Sequence, residues 1–438
     1  VPTYLRAARA ITPEGERAVT VVMDGPLITH VLPFGSAVPG EAVTLGDELV
    51  LLPGLVDSHV HVNEPGRTEW EGFTTATLAA AAGGVTTFAD MPLNAIPPTV
   101  DVASLELKRK SAEGQLSVDV AFWGGAIPGN ADDLLPLHEA GVVGFKCFLL
   151  PSGVDEFPPL DQEGLTLAMR TIASFGGLLI AHCEDEDVIE SAPHAHGRAY
   201  ADFVASRPDL AEARAVERLI ATTRATGCRT HIVHVSSASV LPLVRAAKDE
   251  GLPLTAETCP HYLTMEAERI PDGATQYKCC PPIRSRENRE LLWEALLDGT
   301  LDMIVSDHSP CVVEKKRLES GDFGEAWGGI ASVQLGLPAV WSQARARGIP
   351  LAKVVHWMAE APAALIGLTD RAAIAPGHKA DFVVFDPDSA FTVDRLKLRH
   401  RNPLSPYHGK ALTGIVRRTW LDGAPIVEGE VRGGMVKP

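Results

Sequence analysis

Six side chains in this sequence have the types and spacings needed to hold divalent cations. His59 and His61 close the run Leu55-Val56-Asp57-Ser58-His59-Val60-His61, and Lys146 lies in Phe145-Lys146-Cys147-Phe148. His182 ends Ile180-Ala181-His182, His234 ends Ile232-Val233-His234, and Asp307 lies in Val305-Ser306-Asp307-His308. Neutral imidazoles and a carboxylate suit borderline metals such as zinc. Two residues apart in an extended chain, His59 and His61 project to one side and can share one ion. Lys146 is the unusual member. A protonated lysine in the apolar run 142–150 is costly to bury and cannot ligate a cation. Its neutral amine can instead take up carbon dioxide, giving a carbamate (N6-carboxylysine) with two oxygens able to bridge two ions. Charge counting agrees: two divalent ions bring four positive charges, and a carbamate, Asp307 and a bridging hydroxide offset three.

Other residues of these types carry blander readings. His194-Ala195-His196 repeats the His-x-His spacing, but it follows Pro193 in a polar stretch with no strand before it and reads as surface. His261, in Cys259-Pro260-His261-Tyr262, borders the same region without being needed as a ligand. Cys147 and Cys183 read as small buried residues rather than nucleophiles.

The elements that must position these groups alternate in type. Short apolar runs at 51–60, 85–91, 118–125, 142–148, 178–183, 230–236, 253–259 and 301–307 read as strands. Segments such as 209–226, 238–250 and 287–298 carry the spaced apolar residues of helices between them. Thr68-Glu69-Trp70-Glu71 has the capping-box pattern ahead of an Ala-rich helix that Gly83-Gly84 stops. Eight strands with intervening helices predict an α/β fold, a closed (β/α)8 TIM-type barrel, whose functional residues belong at the C-terminal strand ends. All six candidate ligands lie there. No GxGxxG follows the first strand, which argues against dinucleotide binding. The termini read as β: Ala18 to Met23 at one end, and at the other 380–386 and 415–427 with a hairpin turn at Asp422-Gly423. The expected organisation is a small β-sandwich from residues 1–50 and 366–438, beside a barrel of residues 51–365.

The chain has 438 residues with a formal charge of -17, from 39 basic and 56 acidic side chains. Such a surface disfavours nucleic acid and anionic membrane as partners. No apolar run is long enough to span a bilayer, and the first twenty residues hold no signal core. Seven scattered cysteines without a CxxC pair suggest reduced thiols in the cytoplasm rather than a disulfide framework.

The motifs together resemble the cyclic amidohydrolases, the group of dihydroorotase, dihydropyrimidinase (hydantoinase) and allantoinase. The resemblance runs from Pro53-Gly54-Leu55-Val56-Asp57 to Ile374-Ala375-Pro376-Gly377-His378-Lys379-Ala380-Asp381. It implies one metal held by His59, His61, Lys146 as carbamate and Asp307, and a second by His182, His234 and the same carbamate. Zinc is the expected metal, with cobalt, manganese or nickel as alternatives. Asn63-Glu64-Pro65-Gly66-Arg67, Met91-Pro92-Leu93-Asn94, Val305 to Cys311 and Ala326-Trp327-Gly328-Gly329-Ile330 look like the allantoinase branch. Dihydroorotases usually place Arg where Asn63 stands, and dihydropyrimidinases Tyr where Pro151 stands. Cys280, in Cys279-Cys280-Pro281-Pro282, departs from the Ser or other small residue expected at a largely backbone contact.

The resemblance therefore implies hydrolysis of (S)-allantoin, a cyclic ureide, to allantoate. A hydroxide bridging the metals attacks the ring carbonyl, and Asp307 passes its proton to the leaving nitrogen. Asn94, Cys280, His308, Ser309 and Gly329 are the candidate substrate contacts, and a homotetramer is the implied assembly. Hydantoinase or dihydropyrimidinase activity, and less so dihydroorotase activity, are the enzymatic alternatives. A non-catalytic scaffold is disfavoured by the complete ligand set.

Overall fold

A computed structural model describes residues 2–438. Eight parallel segments follow one another around a barrel: β1 (Leu55–Val60), β2 (Val85–Asp90), β3 (Asp119–Phe122), β4 (Phe145–Phe148), β5 (Leu178–His182), β6 (Arg229–Ile232), β7 (Leu254–Thr258) and β8 (Met303–Ile304). β1 to β3 pair in order; Gly124–Gly125, just beyond β3, pairs with β4, and pairing continues to β8. The ring closes where Val60 bridges His308 in parallel and the His61 N–H donates to the His308 carbonyl at 2.8 Å. Valines, isoleucines and phenylalanines fill it, because a parallel sheet covered by helices is buried on both faces.

The helices follow from local signals. Asp209–Thr226 starts after Pro208 and ends at Gly227, whose φ of 67° is the left-handed stop that glycine adopts without a Cβ penalty. Arg286–Asp298 is capped by Ser285, whose side chain accepts from the Asn288 N–H.

An eight-stranded sheet built from both chain ends packs beside the barrel over its own apolar core of Leu5, Val19, Val21, Met23, Leu51, Phe382 and Trp420. The fold is thus a (β/α)8 barrel with a β-sandwich from the terminal segments. Two expectations need correction. The run 51–60 is two strands: Val50–Pro53 pairs antiparallel with Phe382–Phe385 in the terminal sheet, and only Leu55–Val60 enters the barrel. Gly54 makes the junction, since a Cβ there would lie 2.2 Å from Thr86 Oγ1. The capping box at Thr68–Glu71 does not form either. The helix starts at Phe73 after Gly72, and Glu64 Oε2 accepts the Phe73 N–H at 2.8 Å. No helix of the described residues is long and apolar enough to cross a membrane.

Candidate metal centre

The register of the strands brings the predicted ligands together. Lys146 sits opposite Ile180 and Phe148 opposite His182, so the lysine of β4 and the histidine of β5 share one mouth of the barrel. The His182 and His234 rings are 4.5 Å apart, and His59 lies 5.5 Å from both His61 and His234. Ligand atoms of His59, His61 and Asp307 all fall within 4.8 Å of one another. His234 and Asp307 hold positive φ, 37° and 46°, just past their strands. Such backbone costs energy and clusters at functional sites, where surrounding structure enforces it.

Carboxylates behind the imidazoles fix their orientation. His59 Nδ1 lies 2.6 Å from Glu257 Oε1, and Glu257 Oε2 lies 2.8 Å from His231 Nε2. His182 Nε2 lies 2.7 Å from Glu184, which also takes a two-pronged bond from Arg207. With one nitrogen so engaged, the His59 and His182 rings each have the other left for the cavity, the arrangement found behind metal-ligating histidines.

The charge balance favours a cation. Burial pushes the His61 imidazole down to about 4 and holds those of His182 and His234 low, so they are neutral donors. Burial works against charge on His59 as well, but Asp307 and Glu257 outweigh it and raise it to about 9. Burial also opposes ionisation of Asp307, yet His59 beside it holds the carboxyl well below its usual range. Lys146 is 1% exposed, and its Nζ makes no hydrogen bond or ion pair among the described residues. It faces the Phe148 ring at 5.1 Å, and burial lowers its affinity for a proton. The residues fit divalent ions. His234 Nδ1 is buried without a hydrogen-bond partner, and His59 Nε2 faces Asp307 Oδ1 at 3.0 Å, a nitrogen and an oxygen that can share one ion.

Above these groups opens a cavity of about 260 Å³. Its walls include Asn94, Pro151, Cys280, Ser309 and Gly329 as well as the six ligands. His308 is not among them. It is fully buried and turned away, with Nε2 on Glu71 at 2.9 Å and Nδ1 accepting the Ser332 N–H at 3.0 Å. Asn63 is also held back, its amide donating to the Pro310 carbonyl at 3.3 Å. His194 and His196 are exposed in the loop after Pro193.

An Amidohydrolase family model matches residues 50–426. The chain belongs to the amidohydrolase family. It is 54% identical to an allantoinase of Streptomyces avermitilis, over 98% of this chain and 96% of that protein. It is 49% identical to an allantoinase of Saccharomyces cerevisiae, over 85% and 82%. Among solved structures, an L-hydantoinase (dihydropyrimidinase) from Arthrobacter aurescens superposes with a TM-score of 0.93 at 28% identity, covering 100% of this chain and 99% of that one. Within the family the chain groups with the allantoinases, and it is an enzyme of the cyclic amidohydrolase type with a site for divalent metal.

Four buried or lining residues of this amidohydrolase escape a reading of the sequence: Glu71, Glu184, Arg207 and Glu257. Glu257 and Glu184 carry a faint signal, as acids in or next to apolar strands that end at the site. Glu71 carries a capping spacing to Thr68 but no sign of its actual partner, because His308 is 237 residues away.

Proposed function

We propose that this chain hydrolyses the ring amide of (S)-allantoin to give allantoate. One observation carries the reading of a metal-dependent hydrolase: a buried lysine without a polar partner stands among four histidines and an aspartate at the barrel mouth. His59, His61, Asp307 and Lys146 as carbamate would hold one ion; His182, His234 and the carbamate would hold the other. Divalent ions there, zinc by preference, supply Lewis acidity toward the carbonyl and lower the pKa of water toward neutrality. The neutral amine of Lys146 takes up carbon dioxide and releases a proton, so an unpartnered buried base becomes an anion with two donor oxygens.

Asp307 carries the proton. Its carboxylate, held ionised beside His59, accepts a proton from the attacking water and delivers it to the ring nitrogen as the C–N bond breaks. Asn94, Ser309, Gly329 and the backbone at Cys280 position the ring; all line the cavity. At Gly329 φ is 126°, and a Cβ would lie 2.3 Å from the Ser309 carbonyl oxygen. Only glycine leaves that wall open. The substrate choice is supported by what is missing. Asn63 offers no cation to a substrate carboxylate, and Pro151 offers no phenolic donor. Seven free cysteines suit a reducing cytoplasm. A homotetramer is the assembly the family resemblance implies.

Turnover of allantoin, hydantoin, dihydrouracil and dihydroorotate by metal-loaded protein tests the substrate. Allantoin should be hydrolysed with the highest kcat/KM, and absence of allantoin turnover would sink the reading. Preference for hydantoin or dihydrouracil would favour the second reading, which the close superposition on an L-hydantoinase keeps open.

A further inference from the structure

Beside the proposed ligands lies a second donor group that the reaction does not use. Cys259 directly follows β7, and His261 sits two residues on, in the short helix Pro260–Thr264. Both are fully buried, and neither ring nitrogen of His261 has a hydrogen-bond partner. A neutral imidazole carries one N–H and one lone pair, so either tautomer leaves a donor and an acceptor unmet. An unmet buried polar group is unfavourable, and such an orphan asks for an explanation. Its place offers one: Cys259 Sγ, a His261 nitrogen and an Asp307 oxygen all lie within 4.8 Å of one another.

We propose that Cys259, His261 and Asp307 form a third cation site, one that takes a thiophilic divalent ion such as cadmium or excess zinc. A sulfur, an imidazole nitrogen and a carboxylate oxygen form a donor set for zinc-like ions, whereas magnesium and calcium require oxygen. On binding, the Cys259 S–H proton leaves to solvent and a sulfur–metal bond forms. Asp307 belongs to both donor groups, so an ion held here withdraws the carboxylate from catalysis. Occupancy of the third site therefore inhibits. The inhibition rests on the role proposed above for Asp307; the site rests on donor geometry alone.

The test is a cadmium titration of the full-length protein already carrying its two ions, in a Cys280→Ser background that silences the thiol lining the cavity. Bound ions are counted by metal analysis, and sulfur–cadmium bonding is read by its ultraviolet charge-transfer absorption. A third equivalent should bind with that absorption, and both should vanish on Cys259→Ser. His261→Asn, which keeps the thiol, should weaken cadmium binding by at least about tenfold; it carries the test if Cys259→Ser fails to fold. No third equivalent, as expected if His261 only holds a water, overturns the proposal, and so does absorption that survives Cys259→Ser. Zinc added beyond two equivalents should slow turnover, and Cys259→Ser should relieve it. A third ion bound without inhibition upholds the site and overturns the role given to Asp307.

Discussion

Lys108 and Lys146 are equally buried, each 1% exposed, yet their surroundings answer the charge in opposite ways. Lys108 Nζ is 2.6 Å from Asp90 Oδ2 and 2.9 Å from the Met91 carbonyl, so its charge is matched in place. Lys146 has an aromatic ring and imidazoles around it, and no anion or carbonyl within hydrogen-bond reach among the described residues. A buried ammonium left this way is unfavourable by several kcal/mol. Lys108 is therefore a structural ion pair, whereas burial pushes Lys146 toward its neutral form with no partner to oppose it at hydrogen-bond distance. Burial alone does not separate structure from chemistry; the partner does.

The largest effect expected from this contrast is on Lys146→Ala. Removing an unpaired buried amine should leave the fold intact, while bound metal falls and kcat/KM drops by roughly 10²–10³-fold or more. Metal analysis and turnover on the same sample decide it, and a variant that keeps both would show Lys146 to be an ordinary buried residue. Lys108→Met should do the reverse. It strands the Asp90 carboxylate, whose remaining support is the Val62 N–H at 2.9 Å, and should cost about 3–5 kcal/mol of stability. At a temperature where it stays folded, metal content should match the parent, as denaturant melts with metal analysis would show. Equal losses of metal in the two variants would erase the distinction.

How much of this was legible in the sequence follows the same division between local and remote partners. Strand ends bearing His59, Lys146, His182, His234 and Asp307 could be read because apolar runs and their closing residues are local. So could the helix Asp209–Thr226, bounded by Pro208 and Gly227. Glu71 could not be read correctly. Its spacing from Thr68 has the capping pattern, but its carboxylate is drawn to His308, to Thr75 and to the Arg401 N–H, 330 residues on. Tertiary partners overrode the local signal. Glu257 was hidden likewise, since its bond to His59 spans 198 residues. His308, next to a proposed ligand, faces away because Glu71 and the Ser332 N–H hold its ring there.

Asp381 extends the comparison to a buried anion and gives the smallest effect. It is 3% exposed, directly before the interior strand Phe382–Thr392 of the terminal sheet; Oδ1 accepts the Asp422 N–H at 2.8 Å, and Oδ2 has no partner. Neighbouring cations are committed elsewhere, Lys379 to Asp422 and Arg371 to Asp119 and Asp370. Burial, reinforced by Asp119, pushes the Asp381 carboxyl up from 3.8 to about 7. The folded protein thus binds this proton more tightly than the unfolded chain. Its contribution to stability is full below pH 3.8, is lost as pH rises toward 7, and is constant above. Asp381→Asn removes the ionisation and keeps an oxygen for the Asp422 N–H. The variant should gain stability over the parent between pH 5 and pH 8, on the order of 1–3 kcal/mol. Denaturant melts at the two pH values measure the gain, and a pH-independent difference would mean that Asp381 has found a partner for its second oxygen, as Lys108 has for its amine.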